Sequence, residues 1–323
     1  MTTQPADYFK EVKNLQEKVT SGVLPFELKD RALEMIQGIK RMAHHGEYST
    51  EYEGAAHFID WIASLPWNKR SEDILDLKRA REILDKNHYG LGEIKDRILE
   101  YLAVLKLRRE KAQKQKKEAG ILRFMRAPIL LFVGLVGTGK TTIAYSIAEA
   151  MGRKFARIPL GGMGDPLDLR GQSRQRPEAE PGLIIKALRR VGTKNPVILL
   201  DEIDRVTTQG LSSIMGVLVE LLDPEQNMAF RDHFIDYPFD LSEVMFIATC
   251  NNTTNISVAV MDRLEPIQMP SYTDEEKTVI GRDYILLRLM EEAGLEKEAI
   301  RIDEAVWPKM IRPLGFDAGV RTL

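Results

Sequence analysis

A single cysteine among 323 residues leaves no partner for an internal disulfide, so no covalent cross-link within the chain contributes to its stability. Cys250 lies in the apolar run FIATC and reads as a small core side chain in a reducing compartment. Long hydrophobic runs are missing as well. The longest, near APILLFVGLVG, falls short of the roughly 20 apolar residues that span a bilayer. The first residues, MTTQPADYFKEVKNLQEKV, are polar with a helical pattern and lack the apolar segment of a secretory signal. These absences predict a soluble, cytoplasmic protein with no membrane partner. An excess of one charge is lacking too: 46 basic side chains face 48 acidic ones, a net charge of -2. No overall field therefore marks a nucleic-acid or membrane binder. DNA as a partner stays open through local patches but has no support in the sequence. Hydrophobic residues are abundant, at 44% of the chain, enough to bury the cores of two or three globular units.

Helical patterns come first along the chain. Phe9, Val12, Leu15 and Val19 recur at helical spacing, and Leu28, Leu33, Ile36 and Ile39 do so in the stretch PFELKDRALEMIQGIKRM. The segment AAHFIDWIASLPW carries Phe58, Trp61 and Ile62 on a helix that stops at Leu65-Pro66, because the residue ahead of a proline disfavours helix. Trp61 and Trp67 read as packing anchors. After HYGLGE a long helix runs through Ile94, Ile98, Leu102 and Leu105 into the basic tract KLRREKAQKQKKEAG, a solvated helix end before a loop.

From Ala127 the texture changes. Short apolar runs, PILLFV, FARIPL, PVILLD and VMFIAT, alternate with helical stretches. That pattern predicts an α/β core whose parallel sheet is covered on both faces. Beyond IQMPSYTDEEK the strands stop. Thr273 and Glu276 form a capping-box pattern that opens a helix through Ile280, Tyr284 and Leu287, and a second helix follows near EAVWPKMI. The expected organisation is a helical segment over 1–75, an α/β nucleotide-binding core over 76–270 and a small α-helical lid over 271–323.

The chemistry is concentrated in FVGLVGTGKTT. Gly134, Gly137, Gly139, Lys140 and Thr141 fit G-x-x-x-x-G-K-[ST]. Such a loop must turn backbone N–H groups towards phosphate oxygens, which glycines permit by close approach and unusual dihedrals. Lys140 supplies a cation, Thr141 offers its hydroxyl to Mg²⁺, and the context of strand then helix is right. Thr138 and Thr142 complete the candidate cradle. A second element, PVILLDEID, places Asp201 and Glu202 at the end of a buried strand. The first carboxylate can hold the Mg²⁺ shell and the second can polarise the attacking water. Together they predict hydrolysis of Mg·ATP; an N-K-x-D element that would read guanine is not found.

At this point the residues resemble a known family. MFIATCNN with Asn251, MDRLEPI with Arg263 and DAGVR with Arg321 are the set expected of an AAA+ ATPase. More narrowly, WIASLPW, HYGLGEIKDRILEYLAVLKL, LLDPEQN, DLSEVMFIAT and AGVR are similar to the ATPase module of Lon proteases, from about residue 9 to the end. The resemblance implies that Asn251 senses the γ-phosphate side, that Arg321 is a second sensor on the lid, and that Arg263 is an arginine finger reaching a neighbour's site. It also implies a homo-oligomeric ring, expected as a hexamer, acting on protein substrates, and it places His88, Tyr89, Gly90 and Leu91 along the adenine.

Two departures from the family pattern stand out. Leu135 and Val136 replace the usual prolines of the phosphate loop and Thr138 the valine, which leaves the backbone contacts, Lys140 and Thr141 in place. In RGQSRQRPEAEPG, Arg176 and Pro177 stand where the family has an aromatic-hydrophobic pair on a loop facing the ring's pore. Neither offers a flat apolar contact, so a conformational switch or assembly chaperone is the alternative function. No Ser-Lys dyad of the Lon type is assigned within these residues, and the end at Leu323, inside a helical pattern, reads as a fragment of a longer protease.

Overall fold

The computed structural model describes residues 5–44, 50–114, 128–176, 178–296, 298–311 and 319–320. Its centre is a parallel sheet of β1 Ile129–Val133, β2 Phe155–Pro159, β3 Val197–Asp201, β4 Met245–Cys250 and β5 Leu264–Gln268, in the order β2-β3-β4-β1-β5. Ahead of it come α1 Pro5–Ser21, α2 Phe26–His44, α3 Thr50–Ser64, α4 Leu77–Asn87 and α5 Gly92–Lys114; α6 Lys140–Ala150 follows β1. The chain thus has the α/β P-loop architecture that its alternating apolar runs predict.

Contacts divide the chain into two compact units that do not follow chain order. The first gathers residues 1–71, 163–196 and 209–244, and the second gathers 72–162, 197–208 and 245–323. In the first, α1, α2 and α3 pack together through Val12, Val19, Leu28, Ile36, Phe58 and Ile62, all buried. Trp61 and Trp67 are buried as well. The Trp67 indole donates to the Ile62 carbonyl at 2.8 Å and its ring lies 4.9 Å from that of Phe239, so the polar edge of the anchor is satisfied as well as its face.

The second unit holds the whole sheet. Val197, Ile198, Leu199 and Leu200 of β3 are each 0% exposed, as expected of a strand buried on both faces. One face packs Leu130, Phe132, Leu199 and Ile247 against α4, α5 and α6, including Leu84, Ile98 and Ile143. Each such side chain contributes about 1.5–3 kcal/mol on burial.

The sequence pattern points to four strands, and the fifth is LEPIQ, with Pro266 at its centre. Its position at the sheet edge, paired with β1, explains this, since an edge strand tolerates a residue without an N–H. After β5, the Thr273–Glu276 capping box is formed in both directions, at 2.8 and 3.2 Å. The helix Asp274–Ile280 passes through one π turn, Gly281–Ile285, into Leu286–Glu292.

Candidate active site

The parallel register sets the carboxyl ends of β1, β3 and β4 side by side, pairing Val133 with Cys250 and Leu200 with Ala248. In such sheets this edge is where ligands bind. The loop after β1 bends because Gly137 and Gly139 adopt φ of 82° and 90°, a region that favours glycine. Gly134 is needed for a different reason: a Cβ there would lie 2.7 Å from the Met269 carbonyl oxygen.

Lys140 is buried, and its Nζ donates to the carbonyls of Gly134 and Leu135 at 2.6 and 2.9 Å and to Asn251 Oδ1 at 3.2 Å. Burial lowers its pKa, while the nearby acidic groups, Asp201 first among them, act to raise it. Thr138 and Thr142 donate to Leu135 and Gly139 carbonyls, both at 2.9 Å, and so fix the loop from within. On its other side the Val320 N–H donates to the Gly137 carbonyl at 3.1 Å. Gly319 permits that approach, because a Cβ there would meet the Gly137 backbone at 2.4 Å.

At the end of β3, Asp201 is buried. One of its oxygens accepts from the Thr249 hydroxyl and the other from Arg157 Nε at 2.6 Å. Glu202 has φ 58°, left-handed for a residue with a side chain, a strain that structures keep at functional positions. Its N–H donates to Thr249 Oγ1 at 3.0 Å, and its carboxylate lies 3.4 Å from Arg205. Asp204 accepts from the N–H groups of Asn251 and Asn252 at 3.1 and 3.2 Å, which fixes the loop that aims Asn251 at Lys140.

These groups open on a cavity of about 440 Å³ lined by His88, Tyr89, Gly137, Gly139, Lys140, Thr141, Thr142, Asp201, Glu202 and Asn251, with Arg157, Tyr272 and Tyr284 among the others. The size suits a mononucleotide. Thr141 and Asp201 bring a hydroxyl and a carboxylate to the same cavity. Oxygen donors of this kind suit Mg²⁺, whose remaining ligands are phosphate and water.

The opposite wall is the segment after α4. His88 is buried, with Nε2 2.9 Å from Ser146 Oγ; burial, and then the nearby Lys95, push its pKa down to about 4. Lys95, itself buried, donates to the His88 carbonyl at 2.7 Å and to Asp85 at 2.8 Å. Gly90 and Leu91 turn the segment at φ 65° and 54°. The rings of Tyr89 and Tyr284 lie 6.4 Å apart, and the Tyr272 hydroxyl donates to the Thr138 carbonyl at 3.2 Å.

Residues 130–272 match the AAA family, the ATPases associated with various cellular activities. Along 97% of its length the chain is 46% identical to Lon protease 2 of Thermus thermophilus. The chain belongs to the AAA+ ATPases of the Lon family. It is also 44% identical, over 96% of its length, to Lon protease 1 of Sorangium cellulosum. It spans 38% of the length of each of these two Lon proteases. Among solved structures, Hsp104 in its closed-state cryo-EM reconstruction with ATPyS and FITC casein shares the fold, with a TM-score of 0.52 at 14% identity over 76% of this chain and 45% of that one. Among the described residues no helix is long and apolar enough to cross a membrane.

Not every candidate of this Lon-type module lines the cavity. Arg263 is partly buried and donates to the Ala259 carbonyl at 2.7 Å, away from the cavity wall. Arg176 is exposed, on a turn closed by its N–H to the Ser173 carbonyl at 2.9 Å. Pro177 and Arg321 lie outside the described residues. Conversely, sequence reasoning passes over Arg157, Thr249, Asp204, Lys95 and Tyr272. A signal existed for two of them: Thr249 is the polar residue in the apolar run MFIATC, and Asp204 is the third carboxylate of DEID.

Proposed function

We propose that this module binds Mg·ATP in the cavity and that its hydrolysis, in a homo-oligomeric ring of the cytoplasm, drives protein substrates towards a protease of the Lon type. The observation that carries this reading is the convergence of Lys140, Asp201, Glu202 and Asn251 on one cavity at the carboxyl edge of the sheet. Loop N–H groups and Lys140 hold the phosphates in place of the carbonyls that Lys140 now contacts. Asp201 and Thr141 hold Mg²⁺, which when bound neutralises charge on the phosphate oxygens. Glu202 orients and polarises the attacking water, and Asn251 reads the γ-phosphate side. His88 to Leu91 flank the adenine.

Arg263 is proposed as the finger supplied by a neighbouring subunit, and Arg321 as the second sensor. A guanidinium delivered to the transferring phosphate is worth roughly 10³ to 10⁵ in rate, so hydrolysis depends on assembly, and a hexamer is the ring proposed. Arg176 and Pro177 are proposed to face the substrate, gripping apolar segments weakly. That same pair favours a second reading, an AAA+ switch or assembly chaperone that does not thread polypeptide.

The test is specific ATPase activity against protein concentration, with light scattering in parallel. Activity is expected to rise with assembly, and Arg263→Ala to lose hydrolysis while keeping much of its ATP affinity. Equal specific activity in dilute monomer contradicts the proposal.

A further inference from the structure

Within the first unit, four guanidinium groups surround a pocket of about 610 Å³: Arg31, Arg170, Arg174 and Arg231, with Asp232 and Asp236 among the other lining residues. The carboxylates do not answer this charge. Asp232 is buried and already accepts from the N–H groups of Phe234, Ile235 and Gly182 at 2.8, 3.0 and 2.7 Å. Asp236 uses one oxygen for two arginines, at 3.5 Å from Arg31 and 4.0 Å from Arg174, longer than a charge-assisted hydrogen bond. Arg170 pairs with Glu220, yet its Nε is buried without a hydrogen-bond partner among the described residues. Arg231 is exposed and enters no ion pair among the described residues.

Two of the guanidinium groups are held rather than free to disperse. Arg174 lies 4.0 Å over the Phe58 ring, and Arg31 stands 6.0 Å from the same ring centroid. An aromatic face stabilises a cation that has lost part of its water. The shared Phe58 ring and the shared Asp236 oxygen keep these two like charges within reach of each other, and burial, then the neighbouring Arg31, lower the Arg174 pKa.

We propose that this pocket receives the carboxylate side chains of an acidic polypeptide segment. Guanidinium forks match planar carboxylates in two-point contacts. The pocket rests on the reading that polypeptide passes this unit, where Arg176 stands two residues beyond Arg174. Binding needs no nucleotide turnover, so failure of the pocket and failure of the ATPase reading are separate results.

The experiment is fluorescence anisotropy of a labelled Glu/Asp-rich peptide against its Gln/Asn counterpart, with the full chain and without nucleotide, at low and physiological salt. The acidic peptide is expected to bind more tightly, with an affinity that falls as salt rises. Arg231→Gln and Arg174→Lys should each weaken it about tenfold, the size of one lost charge-assisted contact. Arg231 is exposed, so its variant tests the pocket without disturbing the core. Arg97→Gln, an exposed arginine in the other unit, should change nothing. Equal affinity for both peptides, or equal losses in Arg97→Gln, overturns the proposal. Displacement of the peptide by pyrophosphate at lower concentration than by glutarate also overturns it, in favour of a phosphate site. So does a changed oligomeric state in Arg231→Gln with unchanged peptide affinity, which assigns the pocket to a second copy of the chain.

Discussion

Arg157 and Asp201 form an ion pair at 2.6 Å across adjacent strands, with the arginine half-exposed and the aspartate buried. The Thr249 hydroxyl occupies the other carboxylate oxygen. Arg157 therefore holds an oxygen that the proposed Mg²⁺ shell would use, and cation and guanidinium compete for it. Arg157→Gln should lower the Mg²⁺ concentration that half-saturates nucleotide binding by about twofold to fivefold, the range for a partly exposed pair. Titrating Mg²⁺ against a fluorescent ATP analogue checks this. A nucleotide affinity that drops equally with and without Mg²⁺ would instead make Arg157 a phosphate contact.

Gly161 leaves room for the Glu202 carboxylate, since a Cβ there would lie 2.7 Å from Glu202 Oε2. The obstructed atom is the end of a side chain, so Gly161→Ala should move the carboxylate at little cost in stability. We expect ATP affinity close to that of the parent and a kcat lower by about tenfold to a hundredfold, as for a displaced general base. Parent-like turnover would show that the carboxylate position in the structure is not the one used in hydrolysis.

His88 supplies a pH test. Its folded pKa is about 4, against an ordinary value of 6.5, so its contribution to stability is fully present above pH 6.5. It is lost progressively as pH falls towards 4, because the unfolded chain takes up the proton first. The loss approaches roughly 3 kcal/mol at the limit. Urea midpoints at pH 7.5 and 5 should fall less in His88→Gln than in the parent chain. Equal falls would place the pH dependence on other groups.

The legible parts of the sequence were those whose meaning is local. The phosphate loop, DEID and the capping box each declare themselves within ten residues, and four strands read as short apolar runs, one of them with Arg157 set in it. β5 escaped because Pro266 breaks the strand pattern that its edge position tolerates. Arg157 escaped because its partner, Asp201, is 44 residues away and only the β2–β3 register brings them together. The arginine pocket is less legible still: it joins α2 to segments more than a hundred residues later, and nothing in periodicity links them. The grouping of 163–196 and 209–244 with the N-terminal helices is hidden for the same reason.

The most direct test of ATP hydrolysis at this cavity is to measure binding and turnover separately in Glu202→Gln, beside Lys140→Ala. In the proposed mechanism Lys140 would contact the phosphates and Glu202 would act on water, so equilibrium binding of ATP and steady-state phosphate release should respond differently. The account predicts that Lys140→Ala loses nucleotide binding, whereas Glu202→Gln binds ATP as the parent does and releases phosphate at least about a hundredfold more slowly. A Glu202→Gln protein that hydrolyses ATP at close to the parent rate would remove Glu202 from the mechanism and contradict the account.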